Sequence, residues 1–298
     1  MDNNTNKNID ELDLTPFFNK IFLNKTFIIA SSIIFSLFIF SLSYLIPNKY
    51  SSYAMLQPVE DQSVSASNQL GGLASFAGLN LQDSANKTDL ALEILTSIDF
   101  FETLYYKDEF LIDLMAAKKF NASSNVLVID NSLYDEGRKI WIRNQKNKKP
   151  TIQESHEIFI ESLSFYKDKN TQFVQISFKH ISPFKAQKWL NVIIQMLNDH
   201  IKDLETERAK SSLDYLMTEI SQTDITEIKE VISTLIQKEL SILTISAGSE
   251  NYVFNIIDSP RVSEKKSEPS RIQFLLISFL LALLLSISYI FYKDRKNK

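Results

Sequence analysis

The chain has 298 residues, 32 Lys and Arg against 36 Asp and Glu for a net charge of −4, and no cysteine. Without cysteine, disulfides, thiolate nucleophiles and cysteine-ligated metals are excluded. The acidic balance argues against a nucleic-acid-binding surface.

Two uncharged apolar runs, Thr26 to Ile46 and Ile272 to Tyr292, are each 21 residues long. At about 1.5 Å per residue, ~20 residues cross the ~30 Å hydrocarbon core of a bilayer. A soluble helix of that length would keep a polar face, and neither run has one. Tyr44 and Pro47 close the first run, and Tyr289 and Tyr292 precede Lys293 in the second, as suits a membrane interface. A cleaved signal peptide would have a basic start and a shorter apolar core. Here the start carries Asp10, Glu11 and Asp13, so the first run is expected to remain as an anchor.

The segment between the anchors, 47–271, is large enough for a packed core and has no Gly/Ser/Pro-rich linker, so one domain is expected. Within 15 residues of the helix ends, the terminal sides offer Lys20, Lys25, Lys293, Arg295, Lys296 and Lys298. The middle side offers Lys49, Arg261, Lys265, Lys266 and Arg271. The positive-inside rule therefore leans only slightly towards cytoplasmic termini.

After the first anchor, Lys49 to Pro58 is aromatic and apolar and ends on proline, the pattern of an edge strand. Ser63 to Ala85 is rich in small residues and includes Leu70-Gly-Gly-Leu-Ala-Ser-Phe-Ala-Gly-Leu79. No Gly-Lys-Ser/Thr follows, so this is not expected to bind phosphate. From Lys87 to about Ala117 the spacing is helical, with Leu90, Ile94, Leu95, Phe100, Leu104, Leu111 and Leu114 on the apolar side and Ser97 or Asp99 as a cap. Thr151 and Glu154 form a capping-box pattern before a short helix carrying Ile158, Phe159 and Leu163.

Gln172 to Lys179 alternates, placing Val174, Ile176 and Phe178 on one face of a strand, and Leu163 to Tyr166 supplies its hairpin partner. Ser182-Pro183 then opens a long helix with apolar residues from Ala186 and Trp189 through Ile220, thinning over Asp203 to Lys210. Asp224, with Glu227 three residues on, predicts the start of a second helix carrying Ile228, Val231, Ile232, Leu235, Ile236 and Leu240. Tyr252 to Ile257 returns as a strand. This order predicts a small mixed sheet with a coiled-coil-like helical hairpin, thinly apolar, that neighbouring copies would complete as a homo-oligomer.

Several stretches, in this order between two anchors, resemble the Wzz-type polysaccharide co-polymerases, the chain-length determinant proteins. They are Ile9 to Leu14, Tyr50 to Pro58, Leu70 to Gly78 with Lys87 to Leu95, and Ser182-Pro183 with Ala186 and Asn191. Ser212 to Leu216 and Tyr252 to Asp258 continue the likeness. Ser259 to Arg271 resembles the family's proline segment before the second anchor through Pro260 and Pro269, although Ser263 stands where a proline is expected. The second anchor also lacks glycine. It offers Ser278, Ala282 and Ser286 at a spacing of four, and the first anchor offers Ser32 and Ser36. These are small-residue faces where subunits or a polymerase could approach closely, the alternative being small residues scattered on a lipid-facing helix.

The resemblance implies an α+β fold, with two transmembrane helices flanking a periplasmic domain that has a membrane-proximal mixed α/β base and a long helical extension. The corresponding divisions are a cytoplasmic segment 1–25, a span 26–46, a periplasmic chain length determinant domain 47–271 with long helices over about 183–245, a second span 272–292, and a cytoplasmic tail 293–298. It further implies an inner-membrane homo-oligomer that sets the modal length of O-antigen or a related lipopolysaccharide. Such a protein works beside the membrane polysaccharide polymerase and its lipid-linked glycan without forming bonds itself. The kinase domain of some relatives has no counterpart in the tail after Lys293. An adaptor of a polysaccharide export machine is the alternative function.

No catalytic constellation stands out. His156, His180 and His200 fall on separate elements without metal-ligand spacing and read as satisfied surface or partly buried histidines. Asp135 and Glu136 are an acid pair whose sequence proximity says nothing about the separation that glycoside chemistry needs. No catalytic residue, cofactor or metal is therefore expected, and Gln62 to Asn86 is expected to be a mobile segment at an inter-subunit or partner surface.

Overall fold

The computed structural model describes residues 21–59 and 83–296. The N-terminal stretch Ile9 to Leu14, the Gly-rich stretch Leu70 to Leu79 and most of Gln62 to Asn86 lie outside them. The chain divides into two compact units: 1–47 with 268–298, and 48–267.

In the first unit, α1 (Lys25–Leu42) continues as a short 3-10 turn over Ser43–Leu45. Its partner is a long C-terminal helix, Arg271–Lys296. Among the described residues, the stretches long and apolar enough to span a membrane are Lys25–Leu45, 21 residues, and Arg271–Lys293, 23 residues.

The second unit begins with β1 (Tyr50–Pro58), then α2 (Asp83–Thr96), α3 (Ile98–Tyr105) and α4 (Asp108–Ala116). Two small hairpins follow: β2 (Ala117–Asn121) with β3 (Val126–Ile129), and β4 (Tyr134–Asp135) with β5 (Ile140–Trp141). Next come α5 (Ile152–Ser162), β6 (Leu163–Lys167), β7 (Val174–His180), α6 (Pro183–Gln222), α7 (Thr226–Gly248) and β8 (Phe254–Asp258). The C-terminal helix of the first unit is α8.

The main sheet has the order β6-β7-β1-β8. Every neighbouring pair in it is antiparallel, so the expected mixed sheet is instead wholly antiparallel. β1 is also an interior strand, paired on both sides, where an edge strand was expected. Pro58 is tolerated because it is the last strand residue, opposite Phe254, where its missing N–H interrupts no ladder. The ladder bulges once, between Met55 and Leu56.

Ser51 and Ser52 of β1 are buried and satisfied by the chain that follows β8. Ser51 donates to Ser267 Oγ at 2.9 Å and Ser52 to the Arg261 carbonyl at 2.8 Å. The Ser267 N–H donates to the Lys49 carbonyl at 2.8 Å. The two ends of this unit are thereby stitched together.

One face of the sheet carries Ala54, Leu56, Val174, Ile176 and Phe178 into the core, against Trp189, Leu190, Ile193, Ile194, Leu197 and Ile201 of α6. α2 to α5 add Leu95, Phe100, Phe101, Leu104, Phe110, Leu111 and Phe159. Phe110 meets Trp189 edge-on at 4.9 Å and Phe101 meets Phe159 at 5.2 Å, geometries that aromatic pairs favour. Leu90, placed by spacing on the apolar side, is exposed, and Ala91 and Leu92 are buried in its stead. The helix is rotated so that its smallest apolar residue faces the core.

Caps fix the helix starts. Ser97 accepts from the Phe100 N–H at 3.2 Å, Thr151 from Glu154 at 3.3 Å and Ser182 from Lys185 at 3.5 Å. The Glu154 carboxylate does not complete a capping box, because it pairs with Arg143. Asp224 is not a cap either. α7 starts at Thr226, after Ile225, which makes no side-chain cap bond, so Asp224 lies one residue before the cap position.

α6 has 40 residues and so is about 60 Å long. It runs antiparallel to α7: Lys202 donates to the Ser249 carbonyl at 3.0 Å and Ser212 to Glu239 at 3.1 Å, ten residues forward on one helix matching ten back on the other. Asn198 ties α6 to the edge strand. Its Oδ1 accepts from the N–H groups of Val253 and Phe254, both at 2.9 Å, and its Nδ2 donates to the Phe254 carbonyl at 3.3 Å. Asn198→Ala would leave two buried N–H groups unpaired and should destabilise the protein by about 2–4 kcal/mol, measured as a lowered denaturation midpoint in detergent with unchanged helix content before the transition.

Candidate functional site

Three features are candidates for function: the paired apolar helices, the exposed side of the α6–α7 hairpin, and a buried polar cluster where α4 meets α6.

In the unit of paired apolar helices, Ser32, Ser36, Ser278, Ala282 and Ser286 are all buried although most larger side chains of these helices are exposed. The Ser31 and Ser286 hydroxyls lie 2.8 Å apart, and the Phe27 and Tyr289 rings 6.1 Å apart. Small side chains let helix backbones approach, and a shared hydroxyl bond then adds to van der Waals packing. Ser31 was not singled out by spacing, since it is one residue off the Ser32–Ser36 row. At one end, the Arg271 guanidinium sits 4.1 Å above the centre of the Tyr44 ring, a cation–π arrangement. An apolar groove of about 320 Å³ lies beside the pair, lined by Phe35, Ile39, Phe274, Ile277 and Leu281.

Of the proline segment, Pro260 is buried and its carbonyl accepts from Gln187 Nε2 at 3.0 Å. Pro269 is buried in the unit of paired apolar helices.

Along the α6–α7 hairpin, burial changes at about residue 202. Up to Ile201 α6 is packed on the sheet, and beyond it Ala209 and Leu216 are its only buried residues, with Ile232 and Ser246 on α7. Leu204, Tyr215, Met217, Ile225, Ile228, Val231 and Leu240 are exposed. Two helices alone cannot bury apolar residues spread around both circumferences.

The buried polar cluster was not legible as such. Asp113 accepts from Trp189 Nε1 at 2.7 Å and pairs with Lys185 at 2.8 Å, while its carbonyl accepts from His180 Nε2 at 2.8 Å. Glu109 pairs with Lys185 at 2.8 Å and Lys188 at 2.5 Å. His180 is fully buried, not at or near the surface as expected, and its Nδ1 accepts from the Ser182 N–H at 3.0 Å. With one nitrogen accepting and the other donating, the imidazole is neutral. Burial holds its pKa below the ordinary value of 6.5, against weaker opposing interactions with Asp113. Hydrogen bonds from Lys185 and Lys188 lower the Glu109 pKa. Burial works against the charge on Lys185, but its bonds to Asp113 and Glu109 outweigh that and raise its pKa. The only sequence signal for the cluster was Asp113 itself, a single acid within Leu111-Ile-Asp-Leu-Met.

His156 Nε2 donates to the Thr96 carbonyl at 2.9 Å, and the His200 ring meets Phe100 edge-on. The three histidines stay apart. Asp135 accepts from the Arg138 N–H at 3.0 Å, and beside it Glu136 and Asn131 line an open, polar concavity. Among the described residues no group of three or more His, Asp or Glu is placed to hold a metal.

The cluster therefore locks α4, the end of β7 and the start of α6 into one arrangement. In the unfolded chain His180 titrates near 6.5, and in the folded chain only at lower pH. Below about pH 6.5 the unfolded state accordingly binds more protons, and stability falls as pH falls. The thermal unfolding midpoint should drop between pH 7 and pH 5.5, and His180→Gln should flatten that slope; an unchanged slope in the variant would assign it to other groups.

No curated protein matches this chain. Among solved structures it is similar to a full-length bacterial polysaccharide co-polymerase, at 13% identity and a TM-score of 0.40, covering 96% of this chain and 98% of that one. It is also similar to a fragment of WzzB, a polysaccharide co-polymerase from Salmonella Typhimurium, at 12% identity and a TM-score of 0.33, covering 74% of this chain and 100% of that one. Over residues 10–107, which take in the first apolar helix, β1, α2 and α3, the sequence matches the family described as Wzz, chain length determinant protein.

Proposed function

We propose that this protein regulates the modal chain length of a surface polysaccharide, O-antigen or a related lipopolysaccharide, as a non-catalytic, oligomeric co-polymerase beside the membrane polymerase. The observation that carries this reading is the chain length determinant match across residues 10–107, in a chain with an apolar helix long enough to span a membrane near each end. In this reading the protein sits in the bacterial inner membrane with both termini cytoplasmic and residues 47–271 periplasmic. The basic run Lys293, Arg295, Lys296 and Lys298 supports that orientation.

The exposed apolar residues of the hairpin support homo-oligomerisation, because a second copy would bury what α6 and α7 leave in water. Met217→Asp with Val231→Asp should reduce crosslinked oligomers in membranes by severalfold while leaving helix content unchanged. Equal crosslinking would move the subunit interface elsewhere.

The small-residue faces are proposed to close the two spans on each other within one chain, which the 2.8 Å Ser31–Ser286 contact supports. Since the protein has no native cysteine, Ser31→Cys with Ser286→Cys should oxidise to an intrachain product. A disulfide-linked dimer would instead place these faces between copies.

Deleting the gene and resolving the surface polysaccharide on gels tests the function itself. Altered modal length with intact export is the expected result. Lost export with normal length would favour an adaptor of the export machine, and an unchanged polysaccharide would overturn both.

A further inference from the structure

The segment 117–149, which holds the β2–β3 and β4–β5 hairpins, differs in charge from the rest of the protein. It carries eight Lys or Arg against three Asp or Glu, in a chain with a net charge of −4. Its inward residues make a small core of their own, in which Ile129 and Tyr134 are buried with Ala116, and Leu127, Leu133 and Trp141 pack against them. What faces outward is unusual for a solvated surface. The register pairs Lys119 with Val128 and Asn121 with Val126, and cross-strand partners share a face. Val126 and Val128 therefore stand beside Lys119, 54% and 42% exposed. On the second hairpin Ile140 and Ile142 are 47% and 39% exposed.

Half of the basic groups are already neutralised: Lys118 by Asp130 at 3.2 Å, Arg138 by Asp135 at 3.7 Å, Lys149 by Asp108 at 3.6 Å, and Arg143 by Glu154. Lys119, Lys139, Lys146 and Lys148 are exposed and have no ion-pair partner among the described residues. The segment is also tethered to its target by covalent reach. Phe120 of β2 packs on Tyr50, their ring centres 6.1 Å apart. Tyr50 follows Leu45, the last residue of the first apolar stretch, by five residues, so the chain alone keeps it within about 18 Å of that point.

We propose that segment 117–149 docks onto the anionic lipid surface of the bilayer that holds the chain's own spans. Lys119, Lys139, Lys146 and Lys148 would meet lipid phosphates while the exposed valines and isoleucines enter the headgroup–acyl boundary. Binding of this kind depends on apolar area together with attraction to anionic lipid. An acidic glycan would suit the lysines but offers no apolar layer for four branched aliphatic side chains. Each lysine near such a surface is worth about fivefold in the docked-to-free ratio, and the effect is screened by salt.

The test uses the full-length protein carrying Val128→Cys and a spin label, reconstituted in zwitterionic phosphatidylcholine vesicles or in vesicles with about a third phosphatidylglycerol. In the anionic vesicles the label should become severalfold less accessible to a water-soluble relaxant and more accessible to oxygen. That protection should be lost in zwitterionic vesicles, at about 0.5 M salt, and when the four lysines are replaced by glutamate. A label at Tyr215→Cys, on the α6–α7 hairpin, should not respond to lipid charge. The proposal is overturned if the label at 128 is equally accessible in both vesicle types, or if its protection survives the four substitutions. It is also overturned if an added acidic polysaccharide, and not lipid composition, produces the protection. None of these readouts depends on polysaccharide length, so this proposal can fail while the proposed function stands.

Discussion

The pairing of β1 with β8, and the hydrogen bonds that run from Lys49, Ser51 and Ser52 to the stretch 261–267, join the two ends of the segment between the apolar helices. A chain that starts and finishes its folded part beside two such helices has to bring those ends together, and here the middle strand of the sheet does so. Because β1 is paired on both sides, its serines can be buried at little cost, each hydroxyl having a partner on the returning chain. The same strand presents Ala54 and Leu56 to α6, so the closure of the ends and the packing of the core rest on one element.

α6 divides the second unit into two regimes. Its first half is a core helix, held to the sheet by apolar packing, by Asn198 at the edge strand, and by the Asp113–Trp189–Lys185 cluster at its start. Its second half has only α7 for company and leaves large apolar residues in water. The polar groups are therefore concentrated where the helix must be aimed. A long helix turns a small error of angle at its base into a large displacement at its tip, so satisfied buried hydrogen bonds at the base carry the specificity that packing alone leaves loose. The proposed self-association then takes place along a hairpin whose direction is already fixed.

Much of this was readable from residue patterns. The apolar spans, the Ser97, Thr151 and Ser182 caps, the alternation of Val174, Ile176 and Phe178, and the length of α6 are local properties, governed by periodicity and by hydrogen bonds within a few residues. The errors were equally informative. Pro58 suggested an edge strand because proline interrupts a ladder, but at the final position there is nothing to interrupt. Asp224 looked like a cap because its spacing to Glu227 was right, but α7 starts at Thr226, which leaves it one residue before the cap position. Leu90 fitted a stripe that the smaller Ala91 in fact occupies. Ser31 stood one residue off the row that spacing had picked out.

Residue patterns alone carried the two apolar helices, the order of the main-sheet strands and the long helices, the absence of thiol chemistry, and the likeness to chain-length determinants, whereas the four strands within 117–141 gave no such signal. The first three follow from length, composition or short-range spacing, and the likeness from the quoted stretches. The tertiary fold is needed to see that the sheet is antiparallel with β1 inside it, that His180 and Asp113 are buried partners 67 residues apart, and that Lys119 stands beside the exposed Val126 and Val128. Those facts depend on which distant segments meet and on which side of a strand faces out, and a linear pattern carries neither.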